Sequence, residues 1–81
     1  MDVMTLAGLR QGQRARIESI DTRDTQVQRL MTLGLVEGAE VELASVALGG
    51  DPLEFRIFGR GISLRAEQAR CFTVSEVAAG G

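Results

Sequence analysis

The stretch of residues 48–65 reads LGGDPLEFRIFGRGISLR, and it decides the fold. Two short apolar runs, Leu53–Phe58 and Ile62–Leu64, are each bounded by turn-forming residues. Glycines admit backbone angles with φ above zero and Pro52 fixes its own φ, so tight turns are expected before the first run and at Gly59–Gly61. Apolar runs bounded in this way are typical of a β-hairpin.

Three further segments have the pattern of short strands. Arg14–Ile20 and Glu40–Val46 alternate polar and apolar residues, as half-buried strands do, and Phe72–Val74 is a short apolar run near the end of the chain. Phe55, on the apolar side of the hairpin, and Phe72 are predicted to lie in the core.

One short helix is predicted between the first two strands. Asp24 can accept hydrogen bonds from the free amides that open a helix at Thr25, and Gly34 stands where a left-handed cap would end it. Three apolar residues recur between them at helical spacing: Val27, Leu30 and Met31. A polar helical turn over Arg65–Arg70 is expected before the last strand.

The number and length of these elements predict the fold class. Five short strands with one brief helix favour a mainly β fold, a small closed or partly closed antiparallel barrel, because closure hides sheet edges that so short a chain cannot cover otherwise. We expect a single domain over residues 1–81, with a packed part at about 6–77 and a frayed tail at 78–81.

Composition argues against several function classes. The chain has 9 basic residues against 11 acidic ones, a formal net charge of −2, and no Trp or Tyr. Duplex-binding proteins normally carry a basic face, single-strand binders add stacking aromatics, and proline-rich peptides need an aromatic groove. We therefore expect no nucleic-acid partner and no proline-rich ligand.

The sequence also lacks the residue sets of metal and catalytic sites. It contains no His, Cys71 is its one cysteine, and its acidic residues are scattered along predicted strands. The tract Gly49–Pro52 has no lysine and leads into a strand, so it is a turn rather than a phosphate loop. We predict no catalytic residue, no cofactor and no metal site, with Cys71 as a packed or half-buried structural residue.

The N-terminal residues Met1–Leu9 include Asp2 and no long apolar run, which predicts neither a secretory signal nor a membrane span. A lone cysteine cannot form an internal disulfide, which fits a reducing compartment. The expected location is the cytoplasm, without direct insertion into the membrane.

Five apolar residues break the inward parity of their strands or lie in loops: Ile20, Leu35, Val46, Leu48 and Phe58. Each either turns into the core at a bulge or belongs to a contact surface, because a contiguous apolar patch marks a partner site. A patch around the helix with Leu35, Leu48 and Phe58 is the preferred contact surface.

Several of these segments together resemble a known family. The motif Arg29-Leu30-x-x-Leu33-Gly34-Leu35, the turn Gly49–Pro52 and the strand Ile62–Arg65 are similar to those of the FeoA family, and the resemblance extends from about Leu6 to Val74. One departure is Val36-Glu37-Gly38, where the family commonly has a proline before the glycine.

The resemblance implies an SH3-type barrel with a helix inserted after the first strand. It also implies a non-enzymatic accessory protein of ferrous iron uptake that binds FeoB, a membrane transporter with a cytosolic GTPase domain, and so reaches the inner membrane through its partner. The partner-binding residues would be Arg29, Leu35, Leu48 and Phe58. Arg29 either assists phosphoryl transfer in trans or pairs with carboxylates on the solvent face.

Two alternatives stay open. Iron-dependent repressors carry a similar barrel as a C-terminal regulatory module, so the chain could be a stand-alone relative of that module. The barrel could instead associate with itself, either as an assembly scaffold or as a weak homo-oligomer.

Overall fold

The computed structural model describes residues 4–77. Its five strands form a single antiparallel sheet in the order β4-β3-β2-β1-β5. The strands are β1 Arg14–Ile20, β2 Glu40–Val46, β3 Leu53–Ile57, β4 Arg60–Leu64 and β5 Phe72–Glu76. The prediction of a small, mainly β fold with five strands is confirmed. The tail predicted at 78–81 lies outside the described residues.

Helix α1, Thr25–Met31, is inserted between β1 and β2 as expected. It begins at Asp24, whose Oδ1 accepts a hydrogen bond from the backbone N–H of Gln26 at 2.8 Å. A shorter helix, α2, spans Ala66–Ala69 between β4 and β5. Single 3-10 turns occupy Leu6–Gly8 and Leu48–Gly50.

The end of α1 corrects one prediction. Gly34 has a φ of 112°, the N–H of Gly34 donates to the carbonyl of Met31 at 3.1 Å, and the N–H of Leu35 donates to the carbonyl of Leu30 at 3.4 Å. This capping pattern reverses the chain and directs the residue after the glycine back toward the helix. Leu35 is consequently buried, with 0% of its surface exposed, so its placement on a contact surface is wrong.

Two bulges decide where the remaining off-parity residues lie. The β1–β5 register shifts between Ile17 and Ser19, and Ile20 packs, partly buried, against the core. The β2–β3 register shifts between Leu43 and Ser45, yet Val46 stays exposed. A bulge inserts one residue and so changes which side chains face inward.

All five strands and both helices contribute residues to the hydrophobic core. Phe55 and Phe72 have no exposed surface, as the sequence predicts. The other wholly or almost wholly buried large residues are Leu6, Ile17, Val27, Leu35, Val41, Leu43, Ile57 and Leu64.

The outer face of the sheet is charged. Arg14 and Arg16 both pair with Glu40, with N–O distances of 3.2 Å and 3.4 Å, and the β-ladder sets Glu42 opposite Arg56. These exposed pairs stabilise the fold by little, about 0 to 1 kcal/mol each.

The two ends of the sheet differ. At the β5 end, the N–H of Val74 donates to the carbonyl of Met4 at 2.9 Å, and Thr5 forms an antiparallel bridge with Thr73. At the other end, β4 pairs with β3 alone among the described strands.

Candidate interaction surface

The tip of the β3–β4 hairpin carries the most unusual residue of the fold. Ile57 pairs with Arg60, so only Phe58 and Gly59 form the turn, and their φ angles are 50° and 77°. Two successive positive φ angles in a two-residue loop define a type I′ turn. The sequence predicted the turn at Gly59–Gly61; the structure places it one residue earlier and assigns Gly61 to β4.

The backbone conformation of Phe58 is unfavourable for a phenylalanine. It is the one non-glycine residue with positive φ among residues 4–77, in a turn that favours Asn, Asp or Gly. The left-handed region costs an ordinary L-residue about 1 to 2 kcal/mol. Yet the Phe58 side chain is 76% exposed and contributes little burial in return. A strained and exposed aromatic residue points to a use outside the fold.

The Phe58 ring lies against the end of α1. A Cβ placed on Gly34 would stand 3.3 Å from Cε2 and 3.5 Å from Cδ2 of Phe58, so only a glycine lets the ring approach this closely. A second contact holds the hairpin there: Nη2 of Arg60 donates to the carbonyl of Leu33 at 3.1 Å. Leu33 is itself 43% exposed. We call Leu33, Gly34 and Phe58 the tip surface.

A shallow groove of about 230 Å³ adjoins the tip surface. It runs over the outer face of β1, β2 and β3, and Phe58 forms its apolar rim. The residues that line it are Arg14, Glu40, Val41, Glu42, Arg56, Phe58 and Gly59. The groove can therefore accept polar or charged groups of either sign beside an apolar contact.

The other residues of the predicted contact surface do not form one patch. Arg29 is exposed in the last turn of α1, the helix whose end carries Leu33 and Gly34. Leu48 is fully exposed, but it precedes β3 whereas Phe58 follows it. The length of β3 separates them by about 17 Å. The structure thus brings Phe58 close to the α1 end and leaves Leu48 apart.

Sequence reasoning missed Leu33 and Gly34 as parts of the tip surface, and Arg60 as the residue that holds the hairpin against it. The sequence pattern predicts only a capping role for Gly34 and places Leu33 before that cap. A usable signal was present: a two-residue turn between apolar runs would have exposed Phe58 at a hairpin tip. Contact between that tip and α1 depends on tertiary packing and leaves no local pattern.

Among the described residues, Cys71 and the carboxylates are the groups that could take part in chemistry. Cys71 is half-buried, as predicted, and its thiol lies 3.7 Å from the carbonyl of Glu67. Burial raises the pKa of the Cys71 thiol, and the charges of Asp21 and Asp24 act in the same direction, so the thiol stays protonated at neutral pH. Within residues 4–77 no three His, Cys, Asp or Glu side chains converge as metal ligands would.

No helix in the described part of the chain has the length and apolar character needed to cross a bilayer.

The curled five-stranded sheet, the helix inserted after β1 and the short α2 before the last strand define the class of small SH3-like domains. The family model of the FeoA domain matches residues 4–76. The chain belongs to the FeoA family. No curated protein sequence matches it.

Solved structures agree with this assignment. FeoA of Chlorobium tepidum is 36% identical, with a TM-score of 0.84 over 96% of this chain and 73% of that one. FeoA of Stenotrophomonas maltophilia, complexed with zinc and described as a prokaryotic SH3 domain protein, is 32% identical, with a TM-score of 0.79 over 89% of each chain. IdeR of T. acidophilum is 22% identical, with a TM-score of 0.80 over 95% of this chain and 35% of that one, which shows a shared fold.

Proposed function

We propose that this protein is a non-enzymatic accessory of ferrous iron uptake that binds the transporter FeoB through the tip surface. Membership of the FeoA family supports a role in ferrous iron uptake. The strained, exposed Phe58 is the observation that supports a contact at the tip surface. The protein acts in the cytoplasm and reaches the inner membrane through FeoB.

The energy available at Phe58 is sufficient for a binding anchor. A phenylalanine buries about 150 to 250 Å² when covered, and about three quarters of this side chain is open. At about 25 cal/mol per Å², covering it contributes about 3 to 5 kcal/mol before the costs of association. Aromatic anchors of this kind dominate many interfaces.

An adaptor role fits the chemistry of the described residues better than catalysis does. The one thiol is protonated, and two carboxylates of the sheet are engaged by neighbours: Glu40 by two arginines and Glu54 by the hydroxyl of Ser63. FeoA is a family of small accessory domains rather than of enzymes. We propose that the protein acts on FeoB by contact.

Arg29 extends the proposed contact beyond the tip surface. Its guanidinium forms no ion pair within residues 4–77, unlike Arg14, Arg16 and Arg23. We propose that it pairs with a carboxylate of FeoB. Arg29→Lys separates this role from assistance to phosphoryl transfer: an ion pair tolerates lysine, whereas a planar guanidinium acting on phosphate does not. The rate of single-turnover GTP hydrolysis by FeoB, measured with the parent protein and with Arg29→Lys, distinguishes the two roles.

The second candidate is a stand-alone regulatory module like the barrel of the repressors. The shared fold with the T. acidophilum IdeR favours it. The described helices span seven and four residues and form no helix-turn-helix, so such a module would act on a partner protein rather than on DNA. A mobility-shift assay with a metal-dependent repressor and its operator DNA, run with and without this protein, tests it: an unchanged shift contradicts the regulatory role.

Co-purification with FeoB tests the primary proposal. Phe58→Asp places a charge where an apolar contact is proposed, and binding should fail while circular dichroism stays unchanged. Leu48→Asp is the matched control, because it makes the same change at a fully exposed apolar residue beyond the other end of β3. Retained binding and iron uptake by Phe58→Asp would show that the tip surface is not the contact.

A further inference from the structure

The free edge of β4 carries backbone groups that nothing in the described chain uses. In a two-residue hairpin the residues flanking the turn form a hydrogen-bonded pair, and such pairs alternate along an antiparallel ladder. Arg60, Ile62 and Leu64 therefore direct their N–H and C=O groups toward β3. The N–H and C=O groups of Gly61 and Ser63 point the opposite way.

This edge is physically open. Gly61 and Ser63 are both exposed, and a Cβ built on Gly61 would meet only Oε2 of Glu54, at 3.8 Å. The far end of the sheet differs, because the segment Met4–Thr5 bonds to β5 there. Four unused backbone groups along an exposed strand are a template for a sixth strand.

Charge indicates which kind of strand fits. The hairpin Leu53–Arg65 contains three arginines and one glutamate, net +2 in a chain whose net charge is −2. Arg60 and Arg65 stand at the two ends of β4, about 17 Å apart along an extended strand. Arg60 donates one of its five N–H groups to the Leu33 carbonyl. The other four remain available to pair with a carboxylate.

A second copy of this chain fits the edge poorly. Antiparallel self-pairing would set Gly61 opposite Ser63 of the other copy and bring Arg60 and Arg65 of both copies along one seam. In this register Arg60 lies opposite Leu64 and Arg65 opposite Gly59, so no two arginines pair directly, but four arginines gather along one seam and their like charges repel. An acidic segment meets the same arginines with opposite charge.

We propose that β4 receives an extended acidic segment of FeoB by strand addition. The segment is about six residues long, bonds to the backbone of Gly61 and Ser63, and carries a carboxylate near each end to face Arg60 and Arg65. This inference rests on the proposed function and adds its mode of binding, with Phe58 as the apolar contact beside the added strand.

Amide hydrogen exchange of the unmodified protein, alone and with detergent-solubilised FeoB, tests the added strand directly. The amides of Gly61 and Ser63 should exchange about tenfold more slowly or better in the complex, because free edge amides gain hydrogen bonds. If the protein binds FeoB while both amides exchange as in the free protein, the strand-addition proposal is overturned and the proposed function stands. If the protein never binds FeoB, both are overturned.

Two substitutions at one position give an independent test. Gly61→Pro removes the outward N–H without touching a ladder hydrogen bond, and prolines are tolerated on edge strands at such positions. It should weaken FeoB binding about tenfold or more, whereas Gly61→Ala, which keeps the N–H and makes only an ordinary van der Waals contact with Glu54, should change binding less than about threefold. Equal binding by both variants contradicts the proposal, and the exchange experiment decides the matter if the proline variant fails to fold.

The charge component has its own control. Arg65→Glu should weaken binding about tenfold and reduce its salt sensitivity, while Arg10→Glu, in the loop before β1, should not. Sedimentation of the protein alone excludes the competing occupant. A dimer that Gly61→Pro abolishes would assign the edge to a second copy and overturn the acidic segment.

Discussion

Replacing Phe58 with asparagine should separate binding from folding, because two opposing effects on stability nearly cancel. Asparagine is favoured at positive φ in a type I′ turn, so the substitution relieves about 1 kcal/mol of backbone strain. About a quarter of the Phe58 side chain is covered, roughly 50 Å², and losing that contact costs about 1 kcal/mol. The free energy of unfolding should therefore stay within about 1 kcal/mol of the parent.

Binding should respond differently to the same substitution. The exposed three quarters of the ring is available only to a partner, and loss of an aromatic anchor costs about 2 kcal/mol or more, which is about thirtyfold in Kd. Urea denaturation measures the first quantity, and calorimetric titration of detergent-solubilised FeoB measures the second.

Phe58→Ala is the control that isolates the backbone effect. Alanine also removes the ring but is less favoured than asparagine in the left-handed region. This variant should therefore be less stable than Phe58→Asn by several tenths to about 1 kcal/mol. The reasoning is refuted if Phe58→Asn unfolds more easily by over about 2 kcal/mol, because the ring would then be a structural support. Unchanged affinity for FeoB would refute it equally.

Four further outcomes are expected. Phe55→Ala should cost about 3 to 5 kcal/mol through lost burial and a cavity, and a melting temperature within a few degrees of the parent would contradict the core position of Phe55. Gly34→Ala should destabilise the fold by about 1 to 2 kcal/mol, since it combines a φ of 112° with a Cβ 3.3 Å from the Phe58 ring, and Phe58→Ala in the same chain should recover part of that loss in a double-mutant cycle. Two side-chain hydrogen bonds and one backbone hydrogen bond from Arg23 lower the pKa of Asp21 from 3.8 to about 2, so their stabilisation is complete above pH 3.8 and is lost as the pH falls through 2; an NMR titration should find the Asp21 pKa raised toward 3.8 in Arg23→Gln, which keeps only the backbone N–H donor. Anaerobic calorimetry should detect no ferrous iron site tighter than about micromolar, and a stoichiometric submicromolar site would overturn the expectation of no metal site.

The sequence predicts most of the fold because local patterns and tertiary packing agree. Alternation placed β2 at Glu40–Val46 and set Phe55 inward, and the Asp24 side chain caps α1 as its position indicated. Each of these features depends on residues within a few positions of one another. Patterns that span only a few residues can be read directly from the sequence.

The contact surface was less accessible to the same reasoning. Phe58 is disfavoured at positive φ, so local preference placed the turn in the glycine-rich residues that follow it. Leu35 is apolar and follows a helix cap, and only the actual reversal of the chain shows that it enters the core. Whether Leu48 and Phe58 share a patch depends on strand topology, which no local pattern encodes.

The pairing of Met4–Thr5 with β5 sets the valency of this protein in any assembly built by strand pairing. A sheet with two open edges can be extended from both sides, and its copies can link into chains. Here the polypeptide itself fills one side, so β4 is the one open edge among the described strands, and each molecule can take up one added strand there. An assembly formed in this way stops at one protein per acceptor segment. Stoichiometry is then a property of the fold: if FeoB binds by the proposed strand addition, excess protein should saturate it at a one-to-one ratio without polymerising on it.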